Sequence, residues 1–452
     1  MRDTVFIGNG AGFAGDRFDA ATPVVRHLAQ MNGPRYLTFE LLAERTLAIA
    51  QKLRRDNPQL GYSPFLDTYL RPVLAECKAH GIRIVSNMGA ANPLAGARRV
   101  LALADELGVA QLKVAAVTGD DLLQVLSPDE IRVHPTIDGL SMAGREIVAA
   151  NVYLGAAPIV KALAGGADVV LVGRCSDAAL CLGPLQHEFG WASDDWARLA
   201  AGTLCGHLLE CGAQVTGGYF ADPGVKEVAD LAQVGFPIAE VTASGGLVIT
   251  KPEATGGCVT RQTVIEQILY EVHDPCNYLT PDVVLDLSEV TVREVGKDRV
   301  ALFGAIGHAA PETLKATVCM DTGWLGEAEI SYAGANARAR AELAAHVLRI
   351  RCDKFPDRVR VDILGLQAIF DNDSGDRRVV PVGGGEYRVR AAVRSARRQV
   401  AQSVADEVLS LYCSGPAGGA GVRQAVTPQV GTASILVRRE LVRPNVEQLR
   451  SA

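Results

Sequence analysis

The residues best equipped for chemistry fall into four short groups. Gly119-Asp120-Asp121 places two carboxylates side by side, and Gly173-Arg174-Cys175-Ser176-Asp177 offers a cation, a thiol and an acid within five positions. Cys205-Gly206-His207 with Glu210 and Cys211 joins an imidazole to a carboxylate three residues on, one helix face if the stretch is helical. The fourth group is the turn Gly8-Asn9-Gly10-Ala11-Gly12-Phe13-Ala14-Gly15-Asp16-Arg17. Clustered glycine amides form nests for phosphate or carboxylate oxygens.

Each group has a competing structural reading. Adjacent carboxylates raise one another's pKa towards neutrality, which makes Asp120 or Asp121 a candidate general base, yet the same pair suits the N-cap of a helix over Leu122–Leu126. His207 with Glu210 is a second acid/base candidate or a core histidine satisfied by hydrogen bonds. His207, Cys205 and Cys211 also suggest a metal site, for which a fourth ligand is missing. Cys175 is a candidate nucleophile, and Lys251 beside Pro252 a candidate Schiff-base group or a turn residue. Gly10-x-Gly12-x-x-Gly15 matches the dinucleotide fingerprint, but Thr22-Pro23 reads as a helix start well after Gly15 and the acidic ribose ligand is out of place at Glu40. NAD is therefore not expected, and Asp16 and Arg17 are anion-turn residues or a pair closing the turn.

What must position these groups is a sheet. Apolar runs at Thr4–Ile7, Tyr36–Phe39, Arg83–Ser86, Leu112–Val117 and Asp168–Val172 alternate with helical stretches at Pro23–Gln30, Leu42–Leu53, Phe65–His80, Pro93–Leu107 and Ala157–Leu163. That alternation predicts an α/β protein with an N-terminal doubly wound, mostly parallel sheet. Parallel strands deliver their carboxyl ends to one edge. The rim then gathers Asn9, Gly10, Gly12, Gly15, Asp16, Arg17, Glu40, Asn87, Gly89, Asn92, Asp120, Asp121, Arg174 and Asp177 as candidate substrate, anion or catalytic residues, with Arg174 as a bidentate carboxylate clamp. Glu40, Asp120, Asp121 and Asp177 also suit a divalent metal. From residue 288 on, mixed strands and helices predict a second, α+β domain, giving domains 1–287 and 288–452.

Bulk properties narrow the partners. Against 45 Lys and Arg stand 51 Asp and Glu, a formal net charge of −6 with signs interspersed, so neither nucleic acid nor an anionic membrane is expected. No apolar run approaches a membrane span and no signal-like N-terminus is present, which predicts a soluble, cytoplasmic chain. The ten cysteines contain no Cys-x-x-Cys pair and read as buried thiols. A small-molecule partner and a homo-oligomer are the expectation.

Gly12-Phe13-Ala14-Gly15-Asp16-Arg17, Leu42-Ala43-Glu44-Arg45-Thr46, Asn87-Met88-Gly89 with Asn92-Pro93, Gly119-Asp120-Asp121, Gly206-His207-Leu208-Leu209-Glu210-Cys211-Gly212, Gly235-Phe236-Pro237-Ile238-Ala239-Glu240 and Gly415-Pro416-Ala417-Gly418-Gly419 resemble the acyclic terpene utilisation AtuA family over nearly the whole chain. Glu40 stands where an Asp is more usual in that family. The resemblance implies catabolism of branched skeletons through acyl-CoA intermediates, and a small partner protein that, if one is needed, would be a separate chain; it carries no catalytic residues with it. Together with the rim, it points to a redox-cofactor-independent lyase or hydratase acting on a branched carboxylate or its CoA thioester, with no cofactor or a divalent metal. The competing class is a non-catalytic ligand-binding or scaffold subunit working with the small partner.

Overall fold

The computed structural model describes residues 4–365 and 385–451. Two compact units emerge. The first holds the chain up to Ala143, Ile147–Cys319 and the residues from Thr432 on; the second holds Gly144–Glu146 and the described residues of Met320–Gly431. The expected boundary at residue 288 thus falls inside the first unit, because Thr291–Gly296 and Arg299–Phe303 extend that unit's sheet through Leu247–Thr250. The last strand, Asn445–Arg450, likewise returns to pair with Lys113–Thr118.

The centre of the first unit is five parallel strands. In chain order they are β1 (Thr4–Ala11), β2 (Arg35–Phe39), β3 (Ile82–Ser86), β4 (Lys113–Thr118) and, after a short strand β5 (Ile147–Val152) that lies outside this sheet, β6 (Val169–Val172). Their spatial order is β1-β2-β3-β6-β4, so β6 inserts between β3 and β4. Antiparallel strands flank the parallel centre on both sides, starting with Ile238–Thr242 against β1. All five expected parallel strands are present.

Alternate residues on these strands face opposite cores, as a period of two requires. Leu37, Phe39, Ile84, Val114, Ala116, Val169 and Leu171 share a cluster with α1 (Ala21–Ala29) and with Leu70, Leu74, Val100 and Leu103 of the helices that follow β2 and β3. The intervening Tyr36, Val85, Ala115, Val117, Val170 and Val172 are just as buried, beneath helices Ala157–Ala164, Ala179–Phe189 and Trp196–Glu210. A sheet covered on both faces explains why its strands read as continuous apolar runs. The chain leaves β3 and β6 towards opposite faces, the arrangement that opens a crevice at the strands' carboxyl ends.

Two helices differ from expectation for local reasons. α1 begins at Ala21 rather than Pro23, since Pro23 sits in the first turn where a missing N–H costs nothing. The expected helix Phe65–His80 is two, Leu66–Leu70 and Leu74–Ala79, because Pro72 has no N–H to carry the ladder across.

In the second unit the strands within Met320–Tyr332, Val359–Leu364, Tyr387–Ser395 and Ala420–Gly431 alternate with helices Ala337–Cys352 and Arg398–Ser414 in the order βαββαβ. The sheet order, second strand, third, first, fourth, is that of a split βαβ sandwich. Ala341, Ala344, Ala345 and Leu348 on the first helix, and Val404, Val408 and Leu411 on the second, fill its core at helical spacing. This is the α+β region expected from sequence. Among the described residues, no helix is long and apolar enough to cross a membrane.

Candidate functional site

Beyond the carboxyl ends of the parallel strands, within the first unit, lies a cavity of about 910 Å³. Glu40 enters it from the end of β2. Its Oε1 accepts hydrogen bonds from the Leu42 N–H at 2.9 Å and from Asn87 Nδ2 at 2.7 Å, while Asn87 Oδ1 accepts from the Leu41 N–H at 2.7 Å. Asn87 itself is fully buried and clamps the loops after β2 and β3 together. Burial pushes the Glu40 carboxyl above the usual range despite the opposing pull of Arg174 and these hydrogen bonds.

The loop after β6 supplies Arg174 and Asp177. Arg174 is almost completely buried; Nη2 donates to Asp177 Oδ1 at 2.6 Å, Nη1 donates to the Leu42 carbonyl, and the guanidinium stacks 4.2 Å from the centre of the Tyr153 ring. Tyr153 follows β5, and its hydroxyl donates to Glu44 Oε1 at 2.7 Å. Asp177 keeps a third of its side-chain surface open to the cavity. Surrounding protein nevertheless strips it of water, so burial raises its pKa well above the ordinary value; Arg174 opposes the rise, and Glu40, Glu210 and Glu44 add to it.

A second wall comes from the end of helix Trp196–Glu210, where His207 is buried and Glu210 borders the cavity. His207 Nδ1 lies 3.0 Å from Glu210 Oε1, and Nε2 lies 3.1 Å from the Ile268 carbonyl oxygen. A carbonyl only accepts, so Nε2 carries a proton, and one further proton is shared between Nδ1 and Glu210. Burial by itself would lower the imidazole's pKa, but Glu210 and the Ile268 carbonyl more than offset it and the net direction is up. The segment after helix Arg261–Leu269 completes the lining with Tyr270, Glu271, His273, Asp274 and Tyr278, and Lys315 faces in from the strand that begins at Thr313.

Of the residues expected at the rim, Gly12, Glu40, Arg174 and Asp177 therefore border one cavity, joined by Glu210 from the second acid/base candidate. Others are spent on structure. Asp120 lies behind Arg174: its Oδ2 accepts from the Arg174 N–H and from Asn151 Nδ2, both at 2.8 Å, and a Cβ on Gly173 would stand 2.5 Å from its Oδ1. Burial pushes it up to about 6 against those hydrogen bonds, with no opening to the cavity. Asp121 accepts from the Leu123 N–H as N-cap of a short 3₁₀ turn, Leu122–Gln124, in place of the expected helix, and pairs with Arg54 at 3.4 Å. Asn92 caps the helix that begins at Pro93. Gly89 is packed so closely that a Cβ would meet the Val172 carbonyl at 2.6 Å.

The glycine turn closes on itself. Asp16 accepts from the Gly12 and Arg17 amides, each at 2.8 Å, and Arg17 pairs with Asp19 and donates to the Val234 carbonyl. Gly12 abuts the Cys211-Gly212 backbone, 2.4 Å from where its Cβ would be, and Gly10 abuts the Phe39 ring. Gly15 precedes the start of α1 at Ala21 and is not inside it, unlike the third glycine of a dinucleotide site. Asn9 is buried within the sheet. Here close packing, not an open nest, is what the glycines serve.

Three further candidates change character. Cys175 is fully buried and burial drives its thiol well above the usual value, the reverse of an activated nucleophile. Lys251 is buried and donates to the Thr255 carbonyl at 2.9 Å, holding a turn. Among the described residues, no group of three or more His, Cys, Asp or Glu side chains is placed to hold a metal ion, Cys205, His207 and Cys211 included.

Tyr153, Glu44 and Lys315 are among the cavity residues that the sequence did not single out, as are Tyr270, Glu271, His273, Asp274 and Tyr278. Tyr153 follows a strand, Ile147–Val152, that lies outside the parallel sheet, and Lys315 lies in a stretch for which the sequence predicts no particular element. The dense run Tyr270-Glu271-Val272-His273-Asp274 was the available signal for the remaining wall.

Fold and site together define an α/β protein with a carboxylate-rich crevice at the carboxyl edge of a parallel centre. The chain belongs to the acyclic terpene utilisation family, AtuA, whose model matches residues 5–448, and this gives it a catabolic role. No curated protein and no solved structure gives a significant match.

Proposed function

We propose that the chain is a redox-cofactor-independent lyase or hydratase acting on a branched carboxylate or its CoA thioester. The observation that carries this reading is one cavity holding two carboxyls in contrasting settings. Asp177 is driven towards its protonated form by burial and by neighbouring acids, whereas Glu210 is hydrogen-bonded by a buried imidazole that is itself stabilised in its charged form. Paired groups in opposed environments are the usual basis for assigning a general acid and a general base.

In loss of water from a 3-hydroxy acid, Glu210 takes the proton from the carbon beside the carbonyl. The electron pair of that C–H bond forms the new double bond, the C–O bond breaks, and Asp177 gives its proton to the departing hydroxyl, which leaves as water. Hydration is the same path reversed. His207 positions Glu210, and Arg174 fixes Asp177. These roles replace the general base first sought at Asp120 or Asp121 and the bidentate clamp sought at Arg174, whose two terminal nitrogens are already taken by the Leu42 carbonyl and Asp177.

The test is turnover. Purified chain, with and without a candidate small partner protein and a divalent metal, is incubated with branched 3-hydroxy acids, their CoA thioesters and the unsaturated counterparts, and products are followed by mass spectrometry. Water addition or loss, or carbon–carbon cleavage, that collapses in Asp177→Asn supports the proposal. Saturable binding without product under every condition replaces it with the ligand-binding subunit.

A further inference from the structure

We propose that Lys315, held against the Tyr153 ring beside Arg174, is the point at which the cavity recognises a single carboxylate of its ligand. The inference rests on the reading of the cavity as a site for a small organic acid and names the residue that reads the acid.

Lys315 is exposed and borders the cavity, and among the described residues its side chain makes no hydrogen bond and no ion pair; its ammonium lies 4.9 Å from the centre of the Tyr153 ring. Glu44 feels its charge without pairing to it. Arg174 also lies over that ring, so two cations are gathered at one aromatic side chain, and of the two only Arg174 has a carboxyl group in contact, that of Asp177. Like charges drawn to one ring favour an anion placed beside them. Arg174 Nε is buried with no hydrogen-bond partner among the described residues, a donor that an arriving oxygen could satisfy. The arrangement is held by the backbone, since the Tyr153 N–H donates to the Lys315 carbonyl at 3.0 Å.

The opposite wall sharpens the argument. Glu210, Glu271 and Asp274 repel negative charge from the opposite wall, so among the described lining residues the Lys315 corner favours an anion over that wall, and polyanions are disfavoured throughout. A monocarboxylate anchored there presents its other polar groups to Asp177 and Glu210.

The experiment is calorimetric titration of wild type, Lys315→Met, Lys315→Arg and Asp177→Asn with C3 to C6 carboxylic acids and 3-hydroxy acids, each matched by its primary amide. Wild type is expected to prefer acid over amide by about tenfold or more, with a preference that fades with salt. Lys315→Met should erase the preference by weakening the acids alone, and Lys315→Arg should keep most of it. Asp177→Asn should retain it. Wild-type binding of no acid in the panel, equal binding of acid and amide, or an undiminished preference in Lys315→Met would each overturn the assignment. If Asp177→Asn keeps full turnover while Lys315→Met loses the acid preference, the acid–base reading fails and the anion point stands.

Discussion

Asp120 and Asp177 look alike in sequence, each a carboxylate at the end of a parallel strand, and the fold separates them completely. Asp120 spends one oxygen on the Arg174 amide and Asn151 and turns the other against Gly173. Asp177 makes one contact, with Arg174, and opens the rest of its carboxyl to the cavity. Both are driven up in pKa by burial, so perturbation alone does not distinguish a working group from a structural one. Access does. The glycine turn repeats the lesson, because its Gly12 and Arg17 amides are taken by Asp16 before any ligand arrives.

The comparison breaks most sharply under Asp177→Asn. Turnover should fall by about 10²–10⁴-fold, the range of a lost general acid, with ligand affinity little changed. Asp120→Asn should keep activity within a few-fold, since one amide oxygen can still accept both hydrogen bonds; steady-state kinetics on the two variants decides between them. Loss of activity in the second and not the first would invert the assignment.

Next in size is the histidine. His207→Gln should lower kcat by about tenfold and displace the alkaline or acidic limb of the pH–rate profile, because Glu210 loses the charged partner that shares its proton. An unchanged profile with lower stability would make His207 a packing residue only.

Asp120 carries a stability prediction with a definite sign. Its folded pKa of about 6 exceeds the ordinary value of 3.8, so between those limits the folded chain binds a proton that the unfolded chain releases. Its contribution is greatest below about pH 4 and is lost as pH rises through about 6, costing of order 2–3 kcal/mol. Denaturant titrations at about pH 4 and pH 7 should show this slope reduced in Asp120→Asn. The smallest effect belongs to Asp16→Ala, which should cost about 1–2 kcal/mol through the two stranded amides and leave turnover within about twofold.

Much of the architecture could be read in advance. The five parallel strands are apolar runs buried on both faces, and that double burial is what makes them visible without a partner. Their polar ends were legible for the same reason. The sorting of those ends was not, because it depends on contacts between loops: the Arg174 amide reaching Asp120 across 54 positions, and the Cys211-Gly212 backbone pressed on Gly12. Lys315 stayed hidden because what brings it to the cavity is pairing across the fold, its carbonyl accepting from the Tyr153 N–H. The unit boundary was misplaced for a related reason, since the strands after residue 288 complete a sheet begun by β1.

The central claim is that burial raises the pKa of the Asp177 carboxyl well above the ordinary aspartate range in a site open to ligand. Infrared difference spectra of wild type against Asp177→Asn near pH 6 and pH 7 measure it directly. A protonated-carboxyl band lost in the variant, and shifted when a cavity ligand binds, is the predicted result. A carboxyl already ionised by about pH 5, as an ordinary aspartate is, would contradict the account.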